Sequence, residues 1–344
     1  MHRREFVIAL GGALWLTARN LRADHHLVSD DPLIVTFDLA SLTDRYTETQ
    51  DFYVRNHHAI PDTASPATLS IEGEVELPQK LTPDALSRLT QRKIGAVLEC
   101  AGNPVSSTGL VSDGLWTGWL LADVLSPARP KPAGEYVHFV GKDGYSRSVP
   151  IERVLDSALL VTHLNGRPLP RSHGAPWRVM FPGWYGMDSV KWLERMVVAK
   201  TPLPPEGNAY LKLRKDSAGA VEAEPLPRIQ VKSVITSPTD GAVVRRGKVE
   251  VRGMAWSGSG RVSSVQLSAD GGATWNDAAL DHNGSDYDWT PWSASLQAEQ
   301  VGPIEFVCRA VDPAGNAQPS QRDPQRLDLY SFNVYHRVRG VVIP

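Results

Sequence analysis

Apolar and polar residues alternate along this chain in a pattern that changes near residue 228. Before that point, Leu69, Ile71 and Val75 share one side of an apolar-polar alternation, which predicts a half-buried strand. Residues 94–100 form a second run of strand length, and this run ends at Cys100. We therefore expect strands in the first part of the chain, with Cys100 placed where one of them ends.

Two short helices are predicted in the same part of the chain. Thr82 can cap a helix that has Pro83 at its first position and Asp84 in its first turn. Thr117 can likewise cap a helix that continues through residues 120–125. Because helices and strands are mixed, the pattern predicts an α+β domain.

After residue 228 the helical signals fade, and short strands alternate with turns. Val249 and Val251 share a face of one strand, as do Val265 and Leu267 of another. Asp-Gly-Gly at residues 270–272 indicates a hairpin. A further strand places four residues on a common face: Ile304, Phe306, Cys308 and Ala310. This succession of short strands is typical of an all-β, immunoglobulin-like sandwich.

The N-terminus predicts export. Arg3 and Arg4 precede an apolar run over residues 6–16, which is about the size of a signal-peptide core and too short to span a membrane. The arginine pair resembles a twin-arginine signal, so we expect a periplasmic protein without a membrane span. The alternative is an N-terminal helix that packs on the protein. The predicted division is an export signal over residues 1–23, an α+β domain over residues 24–228 and a β-sandwich over residues 229–344.

Charge and cysteine content exclude several classes of protein. The 36 Lys and Arg residues nearly balance the 38 Asp and Glu residues, so the chain lacks the basic surplus of a nucleic-acid-binding protein. Two cysteines are too few for a disulfide framework, a four-cysteine zinc site or a cysteine-ligated iron–sulfur cluster. The absence of CxxCH also excludes a covalently attached haem.

The two cysteines differ in their surroundings. Cys308 alternates with apolar residues and is interpreted as a small buried core residue. Cys100 is followed at once by Ala-Gly-Asn-Pro at residues 101–104, so its thiol lies where a strand gives way to a loop, a common place for functional groups. Such a thiol can be a nucleophile, a metal ligand or a redox sensor, or it can be inert.

Two further segments concentrate polar groups. Arg, Asn and two His occupy residues 55–58, a density that is costly to bury without a polar ligand. Basic residues between 171 and 191 are interleaved with glycine and aromatic residues. Arg forks, a Lys point charge and backbone N–H groups exposed at glycine are the usual means of holding a phosphate.

Five motifs in register resemble the sulfite oxidase family of molybdenum-cofactor enzymes, in its bacterial, haem-free form. They are Tyr-Val-Arg-Asn-His at residues 53–57, Leu-Glu-Cys-Ala-Gly-Asn at residues 98–103, Leu-Trp-Thr-Gly at residues 115–118, His-Gly-Ala-Pro-Trp-Arg at residues 173–178 and Ser-Val-Lys-Trp-Leu at residues 189–193. Met-Ala-Trp-Ser-Gly-Ser-Gly at residues 254–260 resembles the immunoglobulin-like dimerisation domain of the same family. The resemblance covers nearly all of the chain from about residue 51.

The resemblance implies a molybdenum ion held by one molybdopterin and by one protein thiolate, the position that Cys100 occupies. Soft sulfur donors suit such a metal. The terminal phosphate of the pterin would meet Arg178, Ser189 and Lys191. The residues that would contact the pterin or line its path are Tyr53, Asn56, His57, Asp143 and His173.

The resemblance further implies that sulfite is oxidised to sulfate. Arg55 would face the anion, with Tyr210 and His57 tuning hydrogen bonds near the metal and Trp116 contributing an aromatic wall. Electrons would leave to an external acceptor, a c-type cytochrome, because the chain carries no haem. A homodimer is expected by analogy with the family.

One departure affects the substrate. Animal-type members of the family carry a second arginine five positions after the cysteine, whereas Val105 stands there in this chain. Related enzymes that oxidise sulfane sulfur in thiosulfate metabolism, or that reduce oxidised methionine, remain alternatives. A hydrolase using Cys100 with His57 or His173 has the right residue types but no third orienting group at a recognisable spacing. A non-catalytic adhesion module would leave the polar motifs unexplained.

Overall fold

The computed structural model describes residues 25–63, 67–104, 108–204 and 210–344. The predicted export signal and Val105 lie outside the described residues. Strands dominate the described part of the chain, whose three α-helices are α1 (Pro83–Ser87), α2 (Leu121–Leu125) and α3 (Ile151–Ser157). Single turns of 3-10 helix cover Leu39–Ser41, Thr49–Asp51, Ser126–Ala128, Arg171–His173 and Gly186–Asp188. Among the described residues, no helix has the length and apolarity needed to cross a bilayer.

The first part of the chain forms three sheets. Its strands are β1 (His25–Asp30), β2 (Leu33–Asp38), β3 (Val54–Arg55), β4 (Leu69–Gly73), β5 (Gln79–Leu81), β6 (Arg92–Glu99), β7 (Thr108–Gly109), β8 (Val111–Leu120), β9 (Tyr136–Gly141), β10 (Ser146–Pro150), β11 (Leu159–Leu164), β12 (Arg167–Pro168), β13 (Arg178–Met180) and β14 (Leu193–Ala199). Their orders are β1-β2-β3 with β7 beside β2, β10-β9-β14-β4-β5, and β12-β11-β8-β6 with β13 beside β11.

The predicted elements around Cys100 are largely present. Strand β6 ends at Glu99, directly before Cys100, and pairs antiparallel with β8. The Thr82 hydroxyl caps α1 as predicted, by accepting a hydrogen bond from the Ala85 N–H group at 3.4 Å. The prediction that Thr117 caps a helix is wrong, because Thr117 lies within β8 and α2 begins only at residue 121. The run is held as a strand by pairing with β6 on one side and β11 on the other. With such short helices, the α+β interpretation is corrected to a mainly β fold.

The second part of the chain is a pair of facing sheets. Strands β15 (Leu211–Lys215) and β16 (Val221–Pro225) form a separate hairpin that precedes them. One sheet has the order β17 (Lys232–Ser237), β19 (Gly247–Trp256), β23 (Thr290–Ala298) and β22 (Ala279–Leu280). The other has the order β18 (Ala242–Arg245), β25 (His336–Ile343), β24 (Gly302–Val311), β20 (Ser264–Ser268) and β21 (Asn276–Asp277). The predicted boundary at residue 228 falls between β16 and β17.

Side chains from both sheets fill the space between them. Val251 on β19 and Leu267 on β20 are fully buried there, as is Cys308 on β24. The predicted strand faces and the hairpin between β20 and β21 are therefore confirmed. Burial of alternate apolar residues from two facing sheets is what stabilises such a sandwich.

The second part of the chain also covers the open edge of β6. The N–H group of Val97 donates to the carbonyl oxygen of Tyr287 at 2.9 Å, and the Ser285 hydroxyl donates to the carbonyl oxygen of Gly95. A single apolar core continues across this junction and joins Leu98 of β6 to Trp256 and Trp289. The strand that leads to Cys100 is thus bonded on both edges, by β8 and by the second part of the chain.

Candidate active site

A cleft opens at the end of β6, and its enclosed space is about 60 Å³. Its walls come from segments that are far apart in sequence: β3, the loop after β6, the β9–β10 turn and residues 173–191. The predicted site residues that line it are Tyr53, Arg55, Asn56, His57, Cys100, Asp143, His173, Arg178, Ser189, Lys191 and Tyr210.

Cys100 is a free thiol in the wall of this cleft. Its N–H group donates to the Leu110 carbonyl oxygen, and its own carbonyl oxygen accepts from the N–H group of Asn103, both at 2.9 Å. Burial raises the pKa of the Cys100 thiol, while the Gly102 N–H group and the charge of Arg55 oppose that rise. A thiolate here needs a cation or a metal beside it. Cys308 lies instead inside the β-sandwich, where burial raises its pKa to about 12, as expected for an inert thiol.

The last residue of β3, Arg55, and the nearby His57 both line the cleft. The Nε2 atom of His57 lies 2.5 Å from the phenolic oxygen of Tyr210. The His57 ring also stacks on Tyr145, with 4.4 Å between ring centroids. Burial lowers the pKa of His57 to about 4, and the charge of Arg55 adds to this effect. His57 is therefore neutral at pH 7 and able to donate or accept one hydrogen bond at Nε2.

Arg178, which is buried, and Lys191, which is partly buried, bring two positive charges to the same cleft. The Lys191 ammonium donates to the Ser172 carbonyl oxygen at 3.1 Å and to the side-chain oxygen of Asn56. The Arg178 guanidinium donates to the Ser189 carbonyl oxygen at 2.8 Å. Neither cation makes an ion pair with a carboxylate of the described residues. Burial lowers the pKa of Arg178 to about 10, and burial together with Arg178 lowers that of Lys191 well below its usual value.

These features fit an anion held within the cleft. Buried cations are costly unless they are paired, and a phosphate would supply the missing negative charge. The side-chain nitrogen of Asn56 is buried without a hydrogen-bond partner in the described structure, so it too is available to a polar ligand. At Gly174, where φ is +101°, a Cβ atom would lie 3.0 Å from Lys191 and 3.1 Å from Arg178. The cleft thus combines cations that suit a phosphate with a thiol that suits a soft metal, as a metal-bearing pterin phosphate requires.

Other predicted residues are held in place by the protein itself. The Asp143 carboxylate accepts from the Tyr145 N–H group at 3.1 Å, and burial raises its pKa. The Ser189 hydroxyl oxygen accepts from the Phe181 N–H group at 3.2 Å. Burial and the two adjacent cations, Lys191 and Arg178, lower the pKa of His173 to about 3. A neutral His173 can offer a hydrogen bond to the pterin without adding a third charge.

Trp116 does not line the cleft. It is fully buried on β8, where its ring nitrogen donates to the Ala96 carbonyl oxygen at 2.9 Å. Its ring lies under the Arg178 guanidinium, 5.5 Å from centroid to carbon. The aromatic wall predicted at this position is therefore corrected to a support beneath Arg178.

Sequence reasoning missed three aromatic or charged groups next to the cleft. Tyr145 stacks on His57, and Tyr330, from the second part of the chain, packs on Tyr210 with 5.2 Å between centroids. Arg147 lies over the Tyr210 ring at 5.3 Å and donates to the buried carboxylate of Asp188 at 3.0 Å. Tyr145 follows directly after the turn that contains Asp143 and could have been found there. No local signal marks Tyr330, because only the tertiary fold brings it to the site.

Two protein-family models match this chain. The family model for the oxidoreductase molybdopterin binding domain matches residues 57–206, and the family model for the Mo-co oxidoreductase dimerisation domain matches residues 224–342. Both families consist of molybdopterin-dependent oxidoreductases, and the thiol and cations that line the cleft suit the same class of enzyme.

Individual relatives of this chain include sulfite oxidases and a sulfane dehydrogenase. Rat mitochondrial sulfite oxidase is 34% identical over 88% of this chain, and the chain spans 63% of that enzyme. Chicken sulfite oxidase is 34% identical over 82% of this chain and 70% of its own length. The crystal structure of the sulfane dehydrogenase SoxCD from Paracoccus pantotrophus is 25% identical, covers 95% of this chain and 92% of its own, and has a TM-score of 0.84. The chain belongs to the sulfite oxidase family of molybdenum enzymes, and its cofactor is molybdenum bound by molybdopterin.

Proposed function

We propose that this protein oxidises sulfite to sulfate and passes the electrons to an external acceptor such as a c-type cytochrome. The reaction adds one oxygen from water and releases two protons and two electrons. The bound molybdenum cofactor supplies the redox chemistry, and Cys100 is its protein thiolate. The observation that carries the proposal is the meeting of Cys100, Arg55 and the His57–Tyr210 pair in one cleft.

The protein's own groups bind and orient the anion in this proposal. Arg55 offers a guanidinium to the sulfite oxygens, which suit its forked donor geometry. A neutral His57 that carries its proton on Nε2 donates to the Tyr210 oxygen. The Tyr210 hydroxyl is then free to donate into the cleft. Tyr145 and Arg147, which pack on His57 and Tyr210, hold this pair in place.

The test uses purified protein with a measured molybdenum content. We expect sulfite to reduce ferricyanide and cytochrome c with rapid turnover, and Cys100→Ala to abolish both reactions. Cys308→Ala is the matched control, because that thiol is buried in the β-sandwich. Turnover by Cys100→Ala at the parent rate would refute the assignment of the thiolate. Full-rate turnover with molecular oxygen alone would refute the external acceptor.

A second candidate is the oxidation of sulfane sulfur. The likeness to sulfane dehydrogenase SoxCD favours it, as does Val105 in place of a second arginine. Molybdenum-loaded protein that is inactive on sulfite but oxidises a protein-bound sulfane substrate would establish this function instead.

Location and assembly are part of the same proposal. The twin-arginine-like N-terminus supports export to the periplasm, and the dimerisation-domain match supports a homodimer. We further infer that the two-sheet second domain is immunoglobulin-like. Sedimentation of the purified protein at a monomer's mass over the micromolar range would refute the homodimer.

A further inference from the structure

Both residues that flank Cys100 are held by the second part of the chain. The Glu99 carboxylate accepts from the Lys232 ammonium at 2.6 Å, and the two side chains are only 1% and 2% exposed. On the other side of Cys100, the Ala101 carbonyl oxygen accepts from the N–H group of Ser331 at 2.8 Å. Lys232 is the first residue of β17, and Ser331 precedes β25, so both contacts cross between the two parts of the protein.

The Glu99 carboxylate also organises the loop that follows Cys100. Its second oxygen accepts from the Trp256 ring nitrogen at 2.8 Å. The oxygen that Lys232 contacts also accepts from the Asn103 amide at 2.9 Å. The Asn103 oxygen in turn accepts from the N–H group of Leu110 at 2.8 Å, and the Leu110 carbonyl oxygen accepts from the Cys100 N–H group. A chain of hydrogen bonds thus runs from Lys232 to the backbone of Cys100.

The Glu99–Lys232 pair has a high desolvation cost, because both charged groups are buried away from water. A buried carboxylate is costly without a cation and hydrogen-bond donors, and Glu99 receives one cation and two neutral donors. Without Lys232, the Glu99 carboxylate would lose its bond to a cation and would be driven to move toward water. That movement would alter its bond to Asn103 and, through Asn103 and Leu110, the position of the Cys100 loop. Partners behind a metal ligand commonly affect metal affinity or activity by 10–100-fold.

We propose that Lys232 is a positioning residue for the cofactor-binding thiol, acting through Glu99 and Asn103 to fix the direction of Cys100. The second domain thereby completes the cofactor site in addition to any role in dimerisation. The inference rests on the proposed assignment of Cys100 as the metal thiolate.

The experiment compares Lys232→Met with the parent as molybdenum-loaded enzymes. We expect kcat per molybdenum to fall by about 10–100-fold, as for other residues behind metal ligands, with a smaller change in KM. X-ray absorption at the molybdenum edge should show a weaker sulfur contribution than in the parent. In a Glu99→Gln background, Lys232→Met should change kcat by less than about twofold, because the partner through which it acts is already altered.

Lys248→Met is the matched control. Lys248 belongs to the same domain and pairs with Glu250 at 2.9 Å, but the two side chains are 64% and 50% exposed. We expect this variant to keep the parent's kcat and sulfur coordination. Should Lys232→Met fail to fold, the double variant Glu99→Gln/Lys232→Met removes both buried charges together. We expect it to fold and to show the same loss of kcat relative to the parent.

Two results would overturn the inference. One is parent-like kcat and sulfur coordination in folded Lys232→Met, or in the double variant, with a change only in unfolding midpoint. The other is an equal effect of Lys232→Met with and without Glu99→Gln. These results differ from the one expected if Cys100 is not the metal thiolate. In that case Cys100→Ala itself would retain the sulfur coordination of the parent.

Discussion

At the residue scale, Arg55 is the group expected to decide affinity for the anionic substrate. It lines the cleft beside Cys100, and its charge affects the pKa of both Cys100 and His57. Arg55→Met should raise KM for sulfite by about 100-fold, equal to about 2.7 kcal/mol, and lower kcat less. Arg55→Lys should also be impaired, because a point charge lacks the fork geometry.

Steady-state kinetics with sulfite check this expectation. Arg129→Met is the control, since Arg129 is two-thirds exposed and pairs with Glu76 away from the cleft. Unchanged kinetics in Arg55→Lys would remove Arg55 from the substrate pocket.

A second prediction at this scale concerns His336 and acid stability. Burial, with a contribution from Lys232, lowers the pKa of His336 to about 4, and its Nδ1 atom accepts from the N–H group of Ile235 at 3.1 Å. His336 takes up a proton near pH 6.5 in the unfolded chain, but only near pH 4 in the folded protein. The free energy of unfolding therefore falls as the pH drops through this window. The contribution of His336 to that loss is about 2 kcal/mol between pH 7 and pH 5.

Urea unfolding of His336→Gln at both pH values measures this contribution. The variant should be less stable than the parent at pH 7, and the difference should shrink by pH 5. His282→Gln, at an exposed position, is the control. If the free energies of unfolding of the parent and of His336→Gln differ by the same amount at pH 7 and at pH 5, His336 is not the source of this pH dependence.

At the scale of elements, β8 pairs with β6, the strand that leads to Cys100, and on its other side lies close to β11. A Cβ atom at Gly118 would lie 2.0 Å from the Leu160 carbonyl oxygen, which belongs to the backbone and cannot rotate away. Gly118→Ala should therefore destabilise the protein by about 2 kcal/mol or more, through separation of the two strands. At Gly102 a Cβ atom would meet nothing within 4 Å, so Gly102→Ala is the control for stability. Equal denaturation midpoints for the two variants would contradict this explanation.

At the scale of the whole molecule, cofactor binding should stabilise the fold. Lys191 and Arg178 lack carboxylate partners among the described residues, and a bound phosphate would pair with them. A ligand whose free concentration is a hundred times its Kd adds about 2.7 kcal/mol to the free energy of unfolding. Calorimetry of cofactor-free and loaded protein should show a higher Tm for the loaded form. The gain should be smaller in Lys191→Met and unchanged in Lys200→Met, an exposed control. An equal gain in Lys191→Met would separate Lys191 from the phosphate.

Local sequence determined the elements and motifs whose physical causes are themselves local. The end of β6 at Glu99, the Thr82 cap and the alternating faces of the second domain follow from residues close in the chain. At Thr117, long-range pairing overrides the local pattern. Its local pattern permits a helix, but pairing with two neighbouring strands gives it a strand conformation.

The motifs also indicated most of the cleft, because residues that hold a phosphate or a metal have recognisable chemistry. Which side chains actually face the cleft depended on the fold. Trp116 lies beneath Arg178, whereas Tyr145 lies against His57.

What only the tertiary structure decided are the contacts between residues distant in sequence. The bond between Lys232 and Glu99 joins positions 133 residues apart, and Tyr330 packs on Tyr210 from the other part of the chain. Neither pair has a local signal, because charge compensation and ring packing depend on distance in space. The sequence by itself thus determined the family, the cofactor and the strand that leads to Cys100. Burial and long-range pairing decided how the second domain closes around that strand.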